Sequence, residues 1–210
     1  MTTRLCIVRH GETDWNVEKR IQGHTDIPLN ATGRAQALAM AFHIAHHPFH
    51  ALYSSDLTRA LVTAQAIAAR IEQGIRLLPG LRERHYGDLQ EHTAAEIAAR
   101  DPALHALYKA RDPDTRFGSG ESLVEFAQRV RHTVEWIGRH HAGHAVAVVC
   151  HSGVLDILYR QATGRPLTTA RDFVIPNCAL NWFAVDAHGL HLQSWADRHH
   201  LQHVLTEAAE

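Results

Sequence analysis

Cysteine is scarce in this chain, with three among 210 residues and no CxxC pair. Cys6, Cys150 and Cys178 lie far apart among apolar neighbours, which argues against a disulfide-stapled secreted fold and points to buried thiols in a reducing compartment. Long hydrophobic runs are missing as well, and none approaches the length that spans a bilayer. The opening Met1-Thr2-Thr3-Arg4-Leu5 runs straight into a short apolar segment that ends at Arg9-His10. That segment is too short for the core of a secretion signal, and no small-residue cleavage site follows it, so a cytoplasmic protein with no membrane partner is expected. Charge of one sign is also absent: Lys plus Arg number 21, Asp plus Glu 22, for a formal net charge of -1. Without a basic excess, nucleic acid and anionic membranes are excluded as general partners, while a local group of Arg still suffices for one small anion. There is no internal repeat or low-complexity segment, and the length suits a single domain over 1–210.

Histidine, by contrast, is abundant, at 19 residues, so the protein should become markedly more cationic near about pH 6. Leu5-Cys6-Ile7-Val8 reads as a buried strand that ends in Arg9-His10-Gly11-Glu12. A polar loop runs from Thr13 to Gly33. The spacing of Ala35, Leu38, Ala39, Phe42 and Ala45 predicts a helix from Arg34 to about His47, stopped by Pro48. After a short strand, Ala51-Leu52-Tyr53, Ser54 and Ser55 are candidate caps for a helix carrying Leu57, Ala60, Leu61, Ala64 and Ile67 on one face. Ile75-Arg76-Leu77-Leu78 is a third strand. Residues 93–111 form one or two short helices broken at Asp101-Pro102, and Glu121 to His141 is a long amphipathic helix. The six apolar residues Ala145–Cys150 are the strongest strand, buried on both faces, and end in His151-Ser152-Gly153 before a helix from Val154 to Gln161. Residues 179–185 and 190–195 form a closing hairpin, whose edge near Trp182 and Trp195 is a candidate homodimer contact.

This alternation implies an α/β fold: a mainly parallel central sheet, helices on both faces and a C-terminal antiparallel hairpin. Ligands in such folds bind beyond the carboxyl ends of the strands, where both Arg9-His10 and His151 fall. Phosphoryl transfer to a histidine needs a neutral imidazole, cations on the phosphoryl oxygens and a carboxylic acid at the leaving oxygen. His10 with Arg9 beside it, Arg59 and His151 near helix starts, and Glu83 after the third strand supply those types. Each taken singly has an ordinary structural reading, and from the residues alone the conclusion stops at an anion-binding α/β enzyme.

A resemblance goes further. Arg9-His10-Gly11-Glu12-Thr13-Asp14-Trp15-Asn16 resembles the signature of the histidine phosphatase superfamily, the phosphoglycerate mutase-like family. In order, Gln22–Leu29 with Gly33, Ser54–Ala60, Glu83–Gly87, Gly120–Ser122 and His151–Gly153 resemble its further segments, across about residues 4 to 185. The resemblance implies that His10 becomes a phosphohistidine and that Arg9, Arg59 and His151 hold the phosphoryl group. It implies that Glu83 is the general acid and base, that Asn16 adds a hydrogen bond to the phosphoryl oxygens, and that Gly23 helps line the entrance. It implies a small phosphorylated metabolite as substrate and no metal or organic cofactor. Asp88–Thr93 lacks the basic run of the dedicated mutases, and Arg100, Lys109, Arg111 and Arg116 are scattered, so a phosphatase is expected ahead of a phosphoglycerate mutase-type enzyme. Two readings of other classes stay open: a His-rich metal binder, using His43, His46, His47 and His50 or His199-His200-His203, and an inactive binder of phosphorylated ligands.

Overall fold

The apolar run Leu5–Val8 forms the middle of β1 (Thr3–Arg9), the strand on which the molecule is built. The computed structural model describes residues 1–207. β1 pairs in parallel with β4 (Ala145–Cys150) and antiparallel with β5 (Leu180–Asp186). Adding β2 (Phe49–Ser54), β3 (Ile75–Leu77) and β6 (Gly189–Asp197) gives a six-stranded sheet in the order β3-β2-β4-β1-β5-β6. The first four strands in sequence run parallel, and β5 and β6 are the expected antiparallel hairpin. The Leu5–Val8 core of β1 is apolar because both of its faces are covered. Leu5 and Ile7 pack with α6 (Leu123–His140) and α7 (Ser152–Thr163), while Cys6 and Val8 pack with α2 (Ala31–Ile44) and α3 (Thr58–Ile71). Each fully buried Leu or Ile of this kind contributes roughly 1.5–3 kcal/mol.

Three local expectations are corrected. The loop from Thr13 to Gly33 contains a short helix, α1 (Asp14–Val17), and α2 begins at Ala31, capped by the Asn30 side chain. The buried face of α2 is Ala37, Met40, Ala41 and Ile44, whereas Leu38 and Phe42 are exposed, with the Arg70 guanidinium 3.7 Å from the Phe42 ring centroid. In an alanine-rich helix two faces look apolar, and periodicity alone does not choose between them. Ser54 and Ser55 do not cap α3, which starts at Thr58 and is capped from outside by Asp26.

Parallel pairing brings the ends of three strands together. Arg9 lies opposite Cys150 in the β1–β4 register, and the His10 N–H donates to the Cys150 carbonyl at 3.0 Å. The Ser55 N–H donates to the Val149 carbonyl, also at 3.0 Å. Residues 10, 55 and 151 are thereby placed side by side beyond the sheet. Over them lie α4 (Ala94–Arg100) and α5 (Pro102–Ala110), whose Ile97 packs with Leu89 and Phe117.

Candidate active site

His10 is buried, and its Nδ1 lies 2.7 Å from the Gly11 carbonyl. A carbonyl only accepts, so Nδ1 carries the proton and Nε2 is left as a bare lone pair. Burial, then Arg59 and Arg9, push the imidazole well below its ordinary pKa of 6.5, so it is neutral at pH 7. The Gly11 N–H is tied to Thr63 Oγ1, which in turn donates to the Arg59 carbonyl, holding the nucleophile loop against α3. His151 sits beside His10, with ring centroids 5.1 Å apart, and is fully buried. Burial, then Arg59, His10 and Arg9, lower its pKa in the same way.

Arg9 and Arg59 are anchored by carbonyls rather than by carboxylates. Arg9 Nη1 donates to Ile175 O, and Arg59 donates from Nη1 to Thr25 O and from Nη2 to Gly23 O. Burial lowers both guanidiniums to about 10, which still leaves them charged at pH 7. Three buried nitrogens, Arg9 Nε, Arg59 Nε and His151 Nδ1, have no hydrogen-bond partner among the described residues. Unpaired buried donors cost roughly 1–3 kcal/mol each, and their convergence around His10 suits an anion.

Glu83 is held firmly. Its Oε2 accepts from Ser152 Oγ and from the Gly153 N–H, and its Oε1 accepts from the Arg84 N–H. A Cβ at residue 153 would overlap Glu83 Oε1, which is why glycine follows Ser152. The Glu83 carbonyl accepts from Arg129 Nη2 and lies 2.9 Å from His24 Nε2. Glu121 clamps Arg129 through both of its oxygens, so the Gly120–Ser122 segment positions the Glu83 loop. Contrary to the expectation from sequence, the helix starts beside Arg59 and His151, the N-termini of α3 and α7, are not open to an anion. Asp26 occupies the first and Glu83 the second.

A cavity of about 200 Å3 is lined by Arg9, His10, Asn16, Gly23, Arg59 and Glu83, six of the seven residues selected from the sequence, with His151 behind its wall. The Asn16 side-chain oxygen accepts from the Thr13 N–H and from Asn177 Nδ2, which leaves its amide nitrogen for the cavity. Glu12 braces the loop, bonded to Asn30 and, through its N–H, to Gln36. Sequence reasoning missed Ser55 as the partner of His151 and missed Arg171, Tyr86 and Tyr108 on the cavity wall. Arg171 lies in an irregular segment with no motif, so nothing local marks it.

A second cavity, of about 360 Å3, adjoins the first and shares Tyr86, Tyr108 and Arg171 with it. Lys109 and Arg111, which look scattered in sequence, line it together with Arg84. Arg100 and Arg116 lie elsewhere, bonded to His92 and Glu125. The His clusters do not form as their spacing suggests. α2 ends at Ile44, so His43 and His47 are not a pair on one helix; His43 stacks on His200 and His50 on His144. Among the described residues no group of three or more His, Cys, Asp or Glu is placed to hold a metal. Trp182 and Trp195 pack within the chain, against Phe49 and Tyr159 respectively. No described helix is long and apolar enough to cross a membrane.

Comparison with known proteins places this geometry. The model of the histidine phosphatase superfamily (branch 1) matches residues 5–198. The chain is 37% identical to phosphoglycerate mutase-like protein 4 of Arabidopsis thaliana, over 94% of this chain and 86% of that one. It is 35% identical to the metal-independent phosphoserine phosphatase of the same plant, over 96% and 84%. Among solved structures, Bacillus stearothermophilus YhfR superposes with a TM-score of 0.88 at 31% identity, covering 95% of this chain and all of the other.

Proposed function

The chain belongs to the histidine phosphatase superfamily and is a phosphatase of small phosphorylated metabolites, and we propose that it works by passing the phosphoryl group through His10. His10 Nε2 attacks phosphorus as the bond to the leaving oxygen breaks. Glu83 gives that oxygen its proton. Water then attacks the phosphohistidine, Glu83 takes the water's proton, and the N–P bond breaks to release phosphate and restore neutral His10. Arg9 and Arg59 neutralise the phosphoryl oxygens, His151 adds an N–H and Asn16 its amide, so positioning and electrostatics replace a metal clamp. Gly23 shapes the entrance through the loop that anchors Arg59.

The observation that carries this reading is the set of unpaired buried donors on Arg9, Arg59 and His151 around a histidine whose Nε2 is a bare lone pair. The experiment is rapid quench with radiolabelled substrate. An acid-labile, alkali-stable label on His10 is expected, with label and turnover both lost in His10→Ala; label elsewhere, with His10→Ala still active, rules it out. Mutase-type transfer between hydroxyls is a second reading, favoured by the cations of the adjoining cavity. Supplying 3-phosphoglycerate with and without 2,3-bisphosphoglycerate separates the two, because a phosphatase yields free phosphate and little isomer. We further propose one domain, in the cytoplasm on the strength of three free buried thiols, with β6 at the sheet edge as the candidate homodimer contact.

A further inference from the structure

We propose that the 360 Å3 cavity beyond the phosphoryl pocket holds a second anionic group on the leaving group of the substrate, and that Arg171 is the residue that recognises it. This rests on the phosphatase reading and narrows the substrate class to phosphomonoesters that carry a carboxylate or a second phosphate.

Asp156 is a buried carboxylate on α7. Its Oδ1 accepts from Arg171 Nε at 3.0 Å, and its Oδ2 accepts from Arg160 Nε at 3.2 Å and Arg111 Nη2 at 3.4 Å. One carboxylate cannot neutralise three guanidiniums, so the group keeps an excess of positive charge. Arg160 is buried behind Asp156, while Arg111 and Arg171 reach the cavity. Pinning Arg171 by Nε leaves its Nη1 and Nη2 without a partner among the described residues, a fork suited to a planar or tetrahedral anion. Lys109, on the same wall, makes no ion pair or hydrogen bond among the described residues. The Arg84 guanidinium donates only to the Glu121 and Thr115 carbonyls and stacks between Tyr86 and Phe117, with ring centroids 5.2 and 5.6 Å away. The wall thus carries four cations, and Asp112 is the only further carboxylate on it.

Arg171 also lines the phosphoryl pocket, which sets the spacing between the two anionic ends. Arg9, lowered chiefly by burial, is lowered further by the Arg171 charge, so the two guanidiniums share one field. A substrate with its phosphoryl group on Arg9 and Arg59 brings the leaving group directly under Arg171. A short chain ending in an anion meets the fork, while Tyr86 and Tyr108 flank the carbons between. Asp156 is a positioning residue in this scheme, since it aims Arg171 without touching the ligand.

The test compares kcat/KM for three alkyl phosphates in the native protein: glycerol 3-phosphate, 3-phosphoglycerate and 2,3-bisphosphoglycerate. A preference of at least about 10-fold for one or both of the latter two is expected; a preference that 3-phosphoglycerate already shows identifies the carboxylate as the second anion, and one shown by 2,3-bisphosphoglycerate alone identifies the second phosphate. Arg171→Gln, at a solvent-accessible position, should shrink that preference roughly 10- to 100-fold, mainly through KM. Arg171→Lys, which keeps the charge without the fork, should fall between. Asp156→Asn should lower the preference while Arg171→Lys loses its advantage over Arg171→Gln in that background. No preference in the native protein, or one unchanged by Arg171→Gln, overturns the proposal. Failure of the phosphatase reading looks different, because 4-nitrophenyl phosphate would then not be turned over through His10 at all.

Discussion

Ser55 Oγ lies 2.9 Å from His151 Nε2, and the same oxygen accepts the Leu57 N–H. Donation of the Ser55 hydroxyl proton to Nε2 places the proton of neutral His151 on Nδ1, the nitrogen with no other partner among the described residues, where it serves an anion. Ser55→Ala should therefore lower kcat/KM by about 3- to 10-fold, the equivalent of one hydrogen bond of ~0.5–1.5 kcal/mol, and weaken inhibition by vanadate to match. Ser55→Thr should restore both. Equal inhibition constants in the native protein and Ser55→Ala would remove Ser55 from the site.

Among the described residues Glu83 is the only carboxylate lining the 200 Å3 phosphoryl cavity, and it is buried. Glu83→Gln should slow hydrolysis of alkyl phosphates by ~10²–10⁴-fold, the usual range for general acid catalysis. The loss should be much smaller on an aryl phosphate, whose leaving group needs no proton, and His10 should still become labelled. Equal losses on both substrates would show that Glu83 supports the fold of the site instead.

Gly153→Ala tests the same carboxylate without altering it. The new Cβ overlaps Glu83 Oε1 and comes within 3.1 Å of Phe126 Cε1, so the carboxylate must move. A displacement of about an ångström is enough to cost on the order of 10²-fold. Turnover of alkyl phosphates should fall more than that of aryl phosphates, with the far-ultraviolet circular dichroism unchanged. Unaltered turnover of alkyl phosphates would show that the Glu83 placement is not critical.

His10 and His151 titrate in the folded protein well below 6.5, chiefly because of burial. The unfolded chain then binds these protons first as the solution is acidified, so stability present above about pH 6.5 is lost as pH falls below it. Burial lowers His24 and His200 in the same direction. Calorimetric Tm should decline from about pH 7 to about pH 5, and His10→Gln should make the decline shallower. An identical slope in both proteins would show that His10 is not among the responsible groups.

The sheet and most of the site follow from the order of the residues alone. Leu5–Val8 and Ala145–Cys150 have no polar residue to offer solvent, so they must be central strands. Residues placed directly after such strands, His10 and His151, are carried to one edge by parallel pairing. Glu83 and Arg59 were legible for a related reason, since each follows a short element whose end is fixed by the sheet. Periodicity failed at α2, because alanines on both faces leave the moment too small to say which face packs inward. It also could not show that Asp26 and Glu83 occupy the helix ends that looked free, because both caps come from distant loops.

The chemistry around the leaving group, by contrast, exists only after the elements have packed. Arg84, the Lys109–Arg111 pair and Arg171 come from three separate stretches of chain, and none of them alone marks a site. They share one cavity because α5 folds over the strand ends and because the segment after α7 returns past Asp156 to cover Arg9. The same holds for Ser55, whose hydroxyl faces a histidine 96 residues away only because β2 and β4 lie side by side. Hydrophobic pattern acts over a few residues and specifies elements, whereas a charge cluster or a tautomer depends on distances that exist only once those elements have packed.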